Sequence, residues 1–247
     1  MLTRAMVAEF VGTFALVFAG CGAIIANSAL KAEDKFGGLG IALAFGLTIM
    51  VMVYALGPAS AAHFNPAVTL GFCIAGRFPW KFAPHYWIAQ VAGAVIASFF
   101  HWALLNEAVN VDFGATTLKD INSGTGLIVE AILTLFLMVV IMAVATDKRA
   151  APGIAGLAIG SAVIVGALGG GAFTGGSMNP ARSLGPAIFA GIQVRPEALS
   201  QLWVYIVGPC LGAVLAALLY EYLRPAEYAK GAPQDLVDLA RAVPEGG

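Results

Sequence analysis

The sequence predicts an all-α membrane protein in which six transmembrane helices and two re-entrant half-helices form an inverted repeat. Three observations predict it. Of the 247 residues, 60% are hydrophobic and 11% are charged, where a soluble domain carries about 25% charged residues. Six apolar stretches reach the length of about 20 residues that a hydrocarbon core of about 30 Å requires. Short motifs from the first half recur in the same order in the second.

The composition also excludes several functions. With 13 Lys and Arg against 14 Asp and Glu, the net charge is −1, so there is no basic excess to neutralise a phosphate backbone and nucleic acid is not expected as a partner. The apolar content excludes disorder. Cys21, Cys73 and Cys210 lie singly in apolar stretches, which implies neither a disulfide framework nor a metal site, and no cofactor motif is present.

Taken in order, the expected spans are 5–26, 39–62, 82–106, 127–146, 150–168 and 198–220; their only charges are Glu9 and Glu130. The first follows Arg4 as a signal peptide would, but its 22 residues exceed the roughly 7–15 of a signal's apolar region, so it is expected to stay as a span. The pieces 66–76 and 180–190 hold 11 residues each. At about 1.5 Å per residue each is roughly 16 Å long, half a bilayer, which suits re-entrant half-helices. In both, proline opens the helix at its first position and asparagine precedes it as N-cap. Arg4, Arg77, Lys81, Lys148, Arg149, Arg224, Lys230 and Arg241 fall on one side of this topology, against Lys31, Lys35, Lys119 and Arg195 on the other. Both termini are therefore expected in the cytoplasm. A channel domain is expected over 1–223, followed by a polar tail over 224–247.

The repeat is specific. Ala8-Glu9-Phe-Val-Gly-Thr-Phe returns as Val129-Glu130-Ala-Ile-Leu-Thr-Leu, His63-Phe-Asn-Pro-Ala-Val-Thr as Ser177-Met-Asn-Pro-Ala-Arg-Ser, and Ala89-Gln90-Val-Ala-Gly-Ala as Gly208-Pro209-Cys-Leu-Gly-Ala. The halves, about 5–106 and 125–223, each hold three spans and one half-helix. An odd span number inverts the second half, and such repeats build a pathway at the bilayer midplane. The half-helix N-termini at Asn65 and Asn179 should then meet, and two positive dipole ends repel cations and hydronium there. A water accepting from both amides turns its hydrogens away from its neighbours in the file, which breaks a proton wire. The segments 57–64 and 169–178 are rich in small residues, so their carbonyls can line the lumen. Arg182, the one basic residue at membrane depth, should face water or a buried partner. Glu9 and Glu130 suit proton relay as membrane carboxylates. Their equivalent positions in the repeat favour a structural reading, in which they accept from unpaired backbone N–H groups of the re-entrant loops.

The paired Asn-Pro-Ala boxes at Asn65, Pro66, Ala67 and Asn179, Pro180, Ala181, with Ala-Glu-Phe-Val-Gly-Thr-Phe near the start and Asn-Pro-Ala-Arg-Ser-Leu-Gly-Pro, make the chain resemble the aquaporin, or major intrinsic protein, family over about residues 5–223. The resemblance implies an aquaporin-like homotetramer in the cell membrane with one pore per subunit. It also implies a selectivity filter at Phe45, Ala167, Gly176 and Arg182. Strict water channels of the family carry His at the position of Ala167 and Cys or Thr at that of Gly176, so two small residues imply a wider constriction. Members conducting glycerol typically carry Trp at the position of Phe45 and Asp directly after the arginine, where this chain has Ser183. The run from Thr174 to Ala187 is similar to the plant nodulin-26-like branch, whose small filter residues accompany glycerol or metalloid acids. Ala61 stands where the family usually has Gly. His63 is expected at the cytoplasmic vestibule or in a loop-bracing hydrogen bond; His85 and His101 receive no role.

The leading expectation is a passive water channel that excludes protons and ions, with glycerol or other small neutral solutes as the alternative. A secondary transporter, with Glu9 or Glu130 binding a coupling proton, is the reading from another class. An intramembrane enzyme is disfavoured because no nucleophile and base stand at plausible spacing. The expected partners are water, small neutral solutes and the lipid bilayer.

Overall fold

The computed structural model describes residues 2–224. Its helices are α1 (Leu2–Ala29), α2 (Gly37–Ser60), α3 (Pro66–Ile74), α4 (Ala83–Leu104), α5 (Ser123–Thr146), α6 (Ala155–Gly170), α7 (Pro180–Gln193), α8 (Glu197–Ser200) and α9 (Leu202–Leu223). No β-sheet forms among the described residues. The tail expected over 224–247 lies, apart from Arg224, outside the described residues.

Five helices are long and apolar enough to cross a bilayer. The fifth expected span, 150–168, is shorter than the sequence suggests. Pro152 and Gly153 turn the chain, Gly153 at φ 77°, and α6 begins only at Ala155, giving 16 residues and about 24 Å of helix. Its first turn is fastened to α2 instead: the Tyr54 hydroxyl donates to the Gly153 carbonyl and accepts from the Leu157 N–H, both at 3.0 Å. The half-helices also differ from expectation at their ends. α3 stops at Ile74, two residues early, because Gly76 turns at φ 66°; α7 runs three residues further, to Gln193.

Small residues set where the helices touch. A Cβ on Gly46 would lie 2.4 Å from the Gly160 carbonyl oxygen, and one on Gly160 would lie 2.6 Å from that of Gly46, so α2 and α6 meet backbone to backbone. Gly93 of α4 approaches the Phe10 carbonyl of α1, and Gly212 of α9 approaches the Ala131 carbonyl of α5 in the same manner. Such contacts gain dispersion and bring polar backbone close, which is how helices associate without a hydrophobic driving force. An apolar core encloses a buried polar set, with Glu9, Thr69, Gln90, Glu130, Thr134 and Thr174 fully buried, whereas Leu39, Ile88, Phe136 and Val165 are exposed on outward faces.

Candidate functional site

The two short helices begin face to face at the centre. Asn65 and Asn179 adopt extended backbone at the N-caps, followed by Pro66 and Pro180 at the first helical positions. The Asn65 side-chain oxygen accepts from the Ala67 N–H at 2.9 Å. That of Asn179 accepts from the Ala181 and Arg182 N–H groups at 3.0 and 3.2 Å. These caps fix each amide so that its nitrogen points away from its own helix. The Asn65 Nδ2 then donates to the Met178 carbonyl at 2.7 Å, and the Asn179 Nδ2 to the Phe64 carbonyl at 2.9 Å. Each half is therefore pinned to the other by one N–H, leaving the second N–H of each amide for the lumen.

The loops feeding these caps are held by the two glutamates. Glu9 accepts from the His63 and Phe64 N–H groups at 2.9 and 2.7 Å, and from Ser60 Oγ and Gln90 Nε2, both at 2.7 Å. Glu130 accepts from the Ser177 and Met178 N–H groups at 2.9 and 2.8 Å and from Thr174 Oγ1 at 2.7 Å. Beyond Ala61, whose N–H still closes α2 on the Gly57 carbonyl at 2.8 Å, the backbone of Ala62, Phe64 and Met178 has positive φ and turns its N–H groups to side chains, as buried backbone outside a helix must. The segments expected to line the lumen are shorter than 57–64 and 169–178, because α2 continues to Ser60 and α6 to Gly170.

His63 is buried with its Nδ1 3.0 Å from Thr69 Oγ1, and its ring packs on Phe72, Phe78 and Tyr86 at 4.6 to 5.0 Å between centroids. It also lines the central cavity, together with Asn65, Asn179, Phe45, Ala167, Gly176 and Arg182. Apart from Ser177, the rest of that lining is apolar, including Ile49, Val68, Ile141 and Val163.

At the outer end of the cavity the Arg182 guanidinium sits 4.7 Å from the Phe45 ring centroid, within cation–π range. Its Nη1 donates to the Gly114 carbonyl at 2.9 Å. No carboxylate lies at ion-pair distance from Arg182 among the described residues. The Gly114 carbonyl is presented by a loop in which Asp112, Phe113 and Gly114 all have positive φ. That loop is tied down by the Arg195–Asp112 ion pair and by the Cys21 thiol, which donates to the same carbonyl at 3.7 Å. Gly176, at φ 57°, packs against the end of α6: a Cβ there would lie 3.1 Å from the Ala167 Cα. A second cavity adjoins this point, lined by Phe45, Ala167, Gly176 and Arg182 together with Lys119.

Sequence reasoning missed two buried tyrosines. Tyr86 of α4 donates to the Ser60 carbonyl at 2.8 Å and Tyr205 of α9 to the Thr174 carbonyl at 2.9 Å. Their separation is the same 119 residues that relates Gln90 to Pro209, so the repeat carried the signal. The hydroxyl chain Thr116–Ser183–Ser177, with oxygens 2.7 and 2.6 Å apart, is the second half's counterpart of Thr69 and His63. No cluster of three metal-ligating side chains occurs among the described residues.

Known proteins share this architecture and sequence. The family model for the major intrinsic protein matches residues 1–220. Aquaporin NIP1-1 of Zea mays is 43% identical over 225 residues, covering 89% of this chain and 74% of the relative. Aquaporin NIP1-3 of Oryza sativa is 46% identical over 220 residues, covering 89% and 73%. The X-ray structure of the aquaglyceroporin from Plasmodium falciparum is similar with a TM-score of 0.81 and 26% identity, over 90% of this chain and 96% of that one. With paired half-helices meeting at the centre of a multi-pass integral membrane protein, and a family match across nearly the whole length, the chain belongs to the major intrinsic protein family and is an aquaporin-type channel, not an enzyme.

Proposed function

We propose that the chain conducts water passively in single file between Asn65 and Asn179 and excludes ions and protons. The observation that carries this reading is the reciprocal bonding of the two asparagines across the midplane. It fixes one free N–H of each at the meeting point of two helix N-termini, whose partial positive charges oppose cations. Phe45, Ala167, Gly176 and Arg182 form the selectivity filter in this reading, Pro66, Ala67, Pro180 and Ala181 complete the two boxes, and Glu9 and Glu130 brace the loops. Each glutamate is used up as an acceptor of loop donors, which supports bracing over a proton relay. His63 braces the first loop through Thr69 while contributing to the wall.

A specific observation also favours small neutral solutes such as glycerol. Two of the four filter positions, Ala167 and Gly176, contribute almost no side chain, and the similar solved structure is described as an aquaglyceroporin. The protein is proposed to form a homotetramer with one pore per subunit. Both termini are proposed to face the cytoplasm of the cell membrane, on the strength of the lysine and arginine distribution. The channel domain is proposed to end near residue 223.

Stopped-flow light scattering on proteoliposomes tests the reading. Fast osmotic water flux with a low activation energy, together with slower glycerol flux, is expected. Absence of both fluxes would overturn it, and glycerol flux equal to water flux would make solutes the principal cargo.

A further inference from the structure

Away from the lumen, α3 and α9 end against each other in a charged cluster that channel function does not use. Arg77 follows α3 in a tight turn, its N–H donating to the Phe72 carbonyl at 2.8 Å, and Arg224 closes α9 with its N–H on the Tyr220 carbonyl at 2.9 Å. Arg77 Nη2 donates to both oxygens of Glu221, at 3.0 and 3.1 Å, and Arg224 Nη2 donates to Glu221 Oε2. Two guanidiniums thus share one carboxylate, and among the described residues the cluster carries two positive charges against one negative.

Its donors are also unfilled. Arg224 has a side chain 2% exposed, yet among the described residues its Nε and Nη1 find no acceptor, and neither does the buried Nε of Arg77. Buried N–H groups on a charged side chain demand an acceptor, and a guanidinium fork matches an oxyanion in two-point geometry. The cluster is open on the side of Arg77 and Glu221, whose side chains are 15% and 32% exposed. Next to it the last residues of α9, Tyr222 and Leu223, are strongly exposed, and Trp80, three residues beyond Arg77, is half exposed. Apolar and aromatic groups beside charge at the end of a spanning helix mark the level where headgroups meet acyl chains.

We propose that Arg77 and Arg224 form a binding site for the phosphate of an anionic membrane phospholipid, with Glu221 setting its net charge. The exposed end of α9 supplies the shelf for the acyl chains, which selects a lipid over a free oxyanion.

The test reconstitutes the full chain in nanodiscs of phosphatidylglycerol and phosphatidylcholine in equal parts, releases it, and reads the retained lipid by native mass spectrometry. Phosphatidylglycerol is expected to be retained preferentially. Arg77→Gln and Arg224→Gln are each expected to lower that preference by about three- to tenfold, with osmotic water flux unchanged. Equal preference in the unaltered chain and both variants overturns the site. Where the arginine variants fail to fold, Glu221→Gln decides: added positive charge raises the preference, and an unchanged or lowered preference overturns it. Inorganic phosphate separates the sources. Undisturbed phosphatidylglycerol retention in its presence supports the lipid, and displacement assigns the site to a soluble oxyanion and overturns the lipid.

Discussion

Arg182 is held by a carbonyl and a ring face, with no carboxylate at ion-pair distance among the described residues, and its guanidinium lines the cavity. Arg182→Val is expected to preserve the fold and admit ions or protons; conductance and pH-dye measurements on proteoliposomes check this, and an unchanged ion leak would reduce the arginine to a packing role. The two small filter residues behave differently on substitution. Ala167→Val adds bulk at a position lining both cavities and is expected to reduce glycerol flux more than water flux. Gly176→Val is expected to lower both fluxes and the yield of folded protein, because its φ of 57° and the Ala167 Cα at 3.1 Å strain any side chain there. Equal losses of water and glycerol in Ala167→Val would remove that residue from the filter. At this scale legibility followed chemistry: Asn65, Asn179, Glu9, Glu130 and Arg182 stand out because polar groups at membrane depth need reasons. The Gly114 carbonyl did not stand out, since a backbone acceptor has no signature in the sequence and the positive φ of its loop depends on contacts with Arg195 and Cys21.

Among the elements, α2 ends less comfortably than it could. Ala61 caps it in the left-handed region at φ 65°, a conformation that costs an L side chain about 1 kcal/mol relative to glycine. Ala61→Gly is expected to stabilise the detergent-solubilised protein by about that amount, read as a raised Tm; a lowered Tm would mean that the methyl's packing outweighs the strain. Beyond the end of α5, Asp147 accepts from the Arg149 side chain at 2.7 and 3.0 Å and from the Tyr220 hydroxyl of α9 at 3.0 Å. The Arg149 guanidinium holds the Asp147 carboxyl well below its ordinary value of 3.8. The unfolded chain therefore binds this proton first, and the contribution is fully present above that ordinary value and lost as pH falls below it. The stability difference between the unaltered chain and Asp147→Asn is expected to be largest near neutrality and to shrink in acid; a pH-independent difference would mean the carboxylate's charge is not what ties α5 to α9. Apolar length located the long helices, and Asn-Pro located the starts of α3 and α7. The start of α6 was hidden, because 150–154 is apolar enough to read as span while Pro152 and Gly153 turn it outside the helix.

For the whole molecule, the inverted repeat was the most legible feature, because it needs only matching residues at matching offsets. What it could not show was how the halves are joined. The paired backbone approach of Gly46 and Gly160, and the exchange of asparagine bonds across the centre, are visible only once both halves are folded together. That exchange also sets the pore's reference frame. The helices around it run from the 16 residues of α6 to the 28 of α1, so bilayers of different thickness tilt and strain them unequally. The two amide donors are positioned by each other's backbone and not by the lipid boundary. Acyl-chain length therefore acts on the rim of the protein, while the spacing at its midpoint is insulated from mismatch.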